Sequence, residues 1–187
     1  MIKSIGTSGC VIELMRVAGA INQLQENYTP ENIEALRQSA HFNRTELRDR
    51  TKTYGLIDNN AAVAIAEMKT INAFKRIENL EGMLFNNVHV EFKNEKVQLD
   101  HVLVGDYGII IIDTKARRVV DAEFLKKTKV QMTKQFDVIA SYMINQGIGF
   151  CKRTLKTYVV LYTQQEILDD SLFLKDVSRI TESLEKN

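Results

Sequence analysis

The chain is poor in cysteine, proline and net charge. Cys10 and Cys151 are the only cysteines in 187 residues. They stand far apart with no metal-site spacing, so neither a disulfide framework nor a thiolate zinc site is expected. That pattern suits a reducing compartment, and a cytoplasmic location is the expectation. A single proline, with 44% apolar and 26% charged residues, excludes a disordered chain and indicates a globular one. The net charge of +1 announces no polyanion partner for the chain as a whole. No apolar run is long enough to span a bilayer, and Glu13 and Arg16 interrupt the N-terminus, so neither a membrane span nor a secretory signal is expected.

Charge is uneven along the chain. Lys115, Arg117, Arg118, Lys126, Lys127, Lys129, Lys134, Lys152, Arg153 and Lys156 face only Asp121, Glu123 and Asp137 in the same stretch. A locally basic segment suits a face that meets phosphate.

Helical spacing marks residues 8–27 through Val11, Leu14, Met15, Ala18, Ile21 and Leu24. Thr29-Pro30 then predicts an N-cap and a first helical proline, opening a helix to about Lys52. Tyr54-Gly55 is expected to break it, and Asp58 to cap a third helix reaching about Leu80. From Leu84 the period becomes two, with Val88, Val90 and Phe92 alternating with polar residues. A turn at Asn94-Glu95 precedes two strands carrying Val102-Leu-Val104 and Ile109-Ile-Ile-Ile112. Both are apolar on either face, so the sheet should be covered on both sides. A helix over about 129–145, a strand at 157–162 and a helix from about Lys175 complete the expectation. The fold class is therefore α/β: a helix, three antiparallel strands, a helix and a strand over residues 58–187. Residues 1–57 form a helical hairpin in front, a candidate for dimerisation or for docking a protein partner.

The segment Gln98-Leu-Asp-His-Val-Leu-Val-Gly-Asp-Tyr-Gly-Ile-Ile-Ile-Ile-Asp-Thr-Lys115 holds the chemistry. A turn centred on Asp106-Tyr107 puts Asp100 opposite Asp113 and Gln98 opposite Lys115. Cross-strand Cβ atoms lie roughly 5 Å apart, and two carboxylates at that distance repel by about 3 kcal/mol at an effective dielectric near 20. Such a patch needs a cation. Lys115 supplies one charge, and a hard divalent ion would supply more. The acid-x-lysine pattern means little by itself, because Glu67-Met-Lys69 and Glu91-Phe-Lys93 repeat it. Only Asp113 follows an apolar strand with a second acid in register. Read plainly, the same residues could also be two strand ends with a surface ion pair.

Taken together, Gln98, Asp100, His101, Gly108, Asp113 and Lys115 resemble the nuclease-related domain, a branch of the PD-(D/E)xK nuclease superfamily. The resemblance covers about residues 58–163. It implies a restriction-endonuclease-like core and Mg²⁺- or Mn²⁺-dependent endonuclease-like hydrolysis of phosphodiester bonds in DNA. It also implies roles: Asp100 and Asp113 holding the metal, helped by a backbone carbonyl near Thr114, with Glu67 as a further ligand. Lys115 would position the attacking water. The family's helix glutamine corresponds to Gln131 or Gln135, of which Gln135 has the better core-facing apolar spacing behind it. Asp113 replaces the commoner glutamate, and Ala64 stands where relatives often carry a second helix acid. Gln98, Arg117, Arg118, Lys126 and Lys127 would contact nucleic acid. His101, one residue out of phase with Asp100, reads as a structural histidine. The rival expectation is a catalytically weak or inactive module with the same fold, binding nucleic acid or regulating through protein partners.

Overall fold

The apolar period changes from helical to alternating near residue 82, and the backbone follows it. The structure is a computed structural model describing residues 1–20, 28–44, 50–117, 120–148 and 155–163. Among these, the order is β1 (Ile2–Ile5), α1 (Gly9–Ala18), α2 (Pro30–Arg44), α3 (Arg50–Lys75), β2 (Gly82–Phe92), β3 (Glu95–Gly105), β4 (Gly108–Arg117), α4 (Ala122–Asn145) and β5 (Leu155–Thr163). The described residues thus form a mixed α/β fold with a five-stranded sheet in the order β1-β2-β3-β4-β5. The helix expected from Lys175 lies outside them, as do Cys151 and Arg118.

The helical boundaries differ from expectation in instructive ways. Helix α1 begins at Ser8, whose hydroxyl accepts from the Val11 N–H at 3.1 Å. It stops at Ala18 rather than running on, because Gly19 adopts a left-handed φ of 72° and bonds back to the Arg16 and Met15 carbonyls. Thr29 does cap α2, accepting from the Asn32 N–H at 3.3 Å. The expected break at Tyr54-Gly55 is absent, and α3 starts at Arg50 and passes through both. Glycine inside a helix costs only ~1 kcal/mol, which the burial of Ile57, Ala61 and Ala64 outweighs. Asp58 is therefore no cap. It sits mid-helix and pairs with Arg37 and His41 of α2, both at 2.8 Å. The boundary expected at residue 57 falls inside α3.

Strands β2, β3 and β4 are antiparallel neighbours. The first hairpin turns on Lys93-Asn94, one residue earlier than expected, with φ positive at both (49° and 67°) as a two-residue loop requires. The second turns on Asp106-Tyr107 with Gly105 opposite Gly108, the predicted register. Two strands run parallel to their neighbours: β1 beside β2 and β5 beside β4. The sequence reading did not include β1. Ile110 and Ile112 join a core with α1, α2 and α3, including Leu14, Ile33, Ile71 and Phe74. Ile111 joins the opposite core with Val138, Ile139 and Met143 of α4. Burial on both faces explains the unbroken isoleucine run.

Strict alternation fails at one place. Leu84 of β2 faces the α1–α3 core, whereas Val88, Val90 and Phe92 pack on the α4 core. On β3, Leu103 and Leu99 divide in the same way. The changeover falls at Asn87, with a φ of 54°, and at Asp100, the only facing positions omitted between paired Asn86–His101 and Val88–Leu99. Both strands change face together there, at a left-handed residue on β2.

Candidate active site

Strands β3 and β4 part company beyond the pair His101–Ile112. From there β4 continues against β5, Asp113 facing Val159 and Lys115 facing Leu161. Meanwhile β3 stays with β2, Gln98 facing His89. Asp100 and Asp113 were expected as a directly paired couple, and Gln98 with Lys115. The ladder ends one step short of the first pair and three short of the second, because Asp100 lies at the changeover and its side chain takes the backbone's place. Its Oδ2 accepts the Thr114 N–H at 2.8 Å. The two acids stand at the crotch of a fork.

Asp113 is only 1% exposed. The Lys115 Nζ lies 2.7 Å from its Oδ2, and the Gln131 Nε2 donates to its Oδ1 at 3.2 Å. Glu67 reaches the fork from α3, and at 4% exposure it is no solvated helix residue. Its carboxylate accepts from the Ser8 hydroxyl, the Cys10 thiol and the Cys10 backbone N–H. That position is the N-terminus of α1, where free N–H groups and the helix dipole favour an anion. Gly9 makes the approach possible, since a Cβ there would stand 2.9 Å from both Asn87 Oδ1 and Gln98 Nε2.

Burial and mutual repulsion dominate the electrostatics. Asp100 is pushed up to about 8, first by burial, then by the charges of Glu67 and Asp113, against the Thr114 N–H bond and Lys115. Glu67 is raised by burial and by Asp113, against its bonds from Ser8 and Cys10. The Cys10 thiol is raised by burial and by the carboxylates of Glu67 and Asp100, so it stays protonated.

These groups open into a cleft of about 410 Å³ whose lining includes Cys10, Glu67, Gln98, Asp100, Lys115 and Arg117. Asn59, Ala62 and Val63 of α3 form one side, and Gln131 contributes from α4. The Arg117 guanidinium also lies 5.1 Å from the Phe124 ring centroid. Of the other expected contacts, Lys126 and Lys127 are exposed on the early turns of α4 and do not line the cleft. Lys127 pairs with Glu123 at 2.7 Å. Gln135 is buried, but its Nε2 donates to the Gln98 carbonyl at 3.0 Å and not to an acid. Gln131, one turn earlier, is the glutamine on Asp113.

His101 is fully buried, bonded to Asn86 and Thr114. Burial lowers it to about 3, so the ring is neutral and serves no acid–base step at neutral pH. The contribution of Ser8 and Cys10 was not foreseen. Ser8 ahead of an apolar-periodic run is a helix-start signal, but nothing in sequence tells that this helix end meets Glu67.

No group of three or more His, Cys, Asp or Glu side chains among the described residues is arranged to hold a metal ion. The donor chemistry still suits a hard cation. Glu67 and Asp100 offer carboxylate oxygens in a polar cleft and are destabilised by each other's charge. A magnesium-like ion needs only one or two carboxylates when waters and a phosphate complete its shell.

A nuclease-related domain family model matches residues 62–166, a stretch containing Glu67, Asp100, Asp113, Lys115 and both glutamines. Residues of β1 and α1 lie outside it. No curated protein matches the chain. Among solved structures, the crystal structure of protein VC1899 from Vibrio cholerae is similar at a TM-score of 0.30 and 12% identity. That alignment covers 95% of this chain and 46% of that one. At this level the likeness carries no argument. No helix among the described residues is long and apolar enough to cross a membrane.

Proposed function

The chain belongs to the nuclease-related domain family, and on that premise we propose that it is a Mg²⁺- or Mn²⁺-dependent nuclease hydrolysing phosphodiester bonds in DNA. One observation carries the reading. Glu67, Asp100 and Asp113 are gathered at a strand fork within reach of each other's charge, with Lys115 alongside. Such an arrangement is costly unless a cation offsets it.

Glu67 and Asp100 would hold the ion, with Asp113 completing the anionic patch. When bound, the ion supplies a lowered pKa for a water and charge stabilisation on a phosphoryl oxygen. Lys115, held by Asp113 at 2.7 Å, orients the attacking water and neutralises the developing anion. Gln131 fixes the Asp113 carboxylate, and Gln135 fixes the β3 backbone at Gln98. Arg117 meets phosphate at the cleft, while Lys126 and Lys127 extend the positive surface along α4. Contacts of this kind hold the backbone without reading bases. The restriction-endonuclease-like core belongs to the same proposal.

The second reading is a catalytically weak module that binds nucleic acid or a protein partner through residues 1–57. The lack of a three-ligand cluster among the described residues favours it. Incubating the protein with plasmid, single-stranded DNA and RNA in Mg²⁺, Mn²⁺ or EDTA separates the two. Cleavage that needs the metal and disappears in Asp113→Ala and Lys115→Ala supports the enzyme. Cleavage surviving both changes removes the catalytic assignment, and no cleavage by the wild type leaves the module.

A further inference from the structure

A chain of buried polar groups crosses the sheet from β1 to the fork. The Asn86 Nδ2 donates to Ser4 Oγ at 2.8 Å, the Ile5 carbonyl at 3.0 Å and the Gly6 carbonyl at 3.3 Å. Those bonds fix which end of the amide is which, so Asn86 Oδ1 can only accept. It lies 2.8 Å from His101 Nδ1, which must therefore carry the ring proton. A buried, neutral imidazole with Nδ1–H has a bare Nε2. The Thr114 hydroxyl, 3.2 Å away, then donates to it. Thr70 lies 3.1 Å from the same hydroxyl and itself donates to the Ala66 carbonyl at 3.1 Å. With the Thr70 proton spent on Ala66, it is His101 that orients the Thr114 hydroxyl, and the Thr114 backbone N–H is the donor that grips Asp100.

From this directed chain we infer that His101 is a positioning residue of the site, orienting Thr114 so that its amide holds the Asp100 carboxylate at the fork. The inference deepens the nuclease reading and rests on it only for the consequence in catalysis. Its orientation comes from β1, outside the family-matched stretch. His101 touches no substrate; it acts through Thr114.

The experiment uses the full chain, wild type, Thr114→Val and Thr114→Ser. Valine keeps the shape and the backbone N–H but removes the hydroxyl; serine restores it. In ¹⁵N spectra the wild-type His101 ring should show protonated Nδ1 and bare Nε2. Hydrogen exchange at the residue 114 amide should quicken at least tenfold in Thr114→Val and return to within threefold in Thr114→Ser, with Ile110–Ile112 unaffected. Manganese-dependent plasmid cleavage should lose about tenfold in kcat with KM within twofold, again restored by serine. A wild-type Nε2–H tautomer overturns the inference. So does a folded Thr114→Val with unchanged exchange at residue 114 or unchanged kcat. If the wild type cleaves nothing, the nuclease reading falls while exchange and tautomer still decide the relay. If Thr114→Val does not fold, the wild-type tautomer decides alone.

Discussion

Lys115 Nζ stands 2.7 Å from Asp113 Oδ2, joining a side chain 23% exposed to one only 1% exposed. The lysine can be rehydrated if the pair breaks; the aspartate cannot. Lys115→Ala should therefore cost about 2–3 kcal/mol in urea unfolding, below the ~3–5 kcal/mol for a wholly buried pair because solvent already screens one partner. Adding Asp113→Asn should recover part of that loss. A Lys115→Ala protein within 0.5 kcal/mol of wild type, an order-of-magnitude threshold for surface changes, would show the pair to be ornamental.

The raised pKa of Asp100 gives a stability test with a definite sign. Its folded value of about 8 exceeds the ordinary 3.8, so between these the folded state binds more protons and stability falls as pH rises. Asp100→Asn keeps an acceptor for the Thr114 N–H but has no charge. Its melting temperature should exceed that of wild type at pH 8 by several degrees, at about 2–4 °C per kcal/mol. Near pH 4 the two should converge. Equal melting curves at pH 8 would refute the burial argument.

His101 works in the opposite sense. Its folded pKa near 3 lies below the ordinary 6.5, so the unfolded state takes the proton first as pH falls. The stability it contributes is complete above about 6.5 and fades toward 3. The gap in unfolding free energy between wild type and His101→Gln should narrow over that range. A gap independent of pH would mean that the ring is not held neutral.

Ser8 caps α1 and donates to Glu67. Ser8→Ala should cost about 1 kcal/mol as a lost cap. It should also weaken cleavage without altering α3, since Glu67 loses one of its donors. Circular dichroism with a cleavage assay checks both. Unchanged stability and activity would detach α1 from the site.

Much of this site was legible in the chain because it follows from local rules. The Gly105-Asp-Tyr-Gly108 turn sets the hairpin register, and the isoleucine run announces burial on two faces. Glu67 lies on the same helical stripe as Ile71 and Phe74, and all three are buried. What stayed hidden depends on tertiary contacts. Strand β1 has four residues and pairs with a strand some eighty positions away, too short a signal for periodicity. The face change at Asn87, a left-handed residue, and at Asp100 opposite it breaks the alternation that a sequence pattern takes for granted. Gly55 reads as a breaker until the packing of α3 outweighs its modest cost. Gln131 and Gln135 stand one turn apart on α4, and only the fork's position shows which of them meets Asp113.

Calorimetric titration of wild type and Asp100→Asn with Mn²⁺ at pH 8 probes the anionic fork most directly. Binding in the micromolar range by wild type, abolished in Asp100→Asn, is the result expected of carboxylates gathered to hold a cation. No heat from wild type, or equal affinity in both proteins, would contradict it.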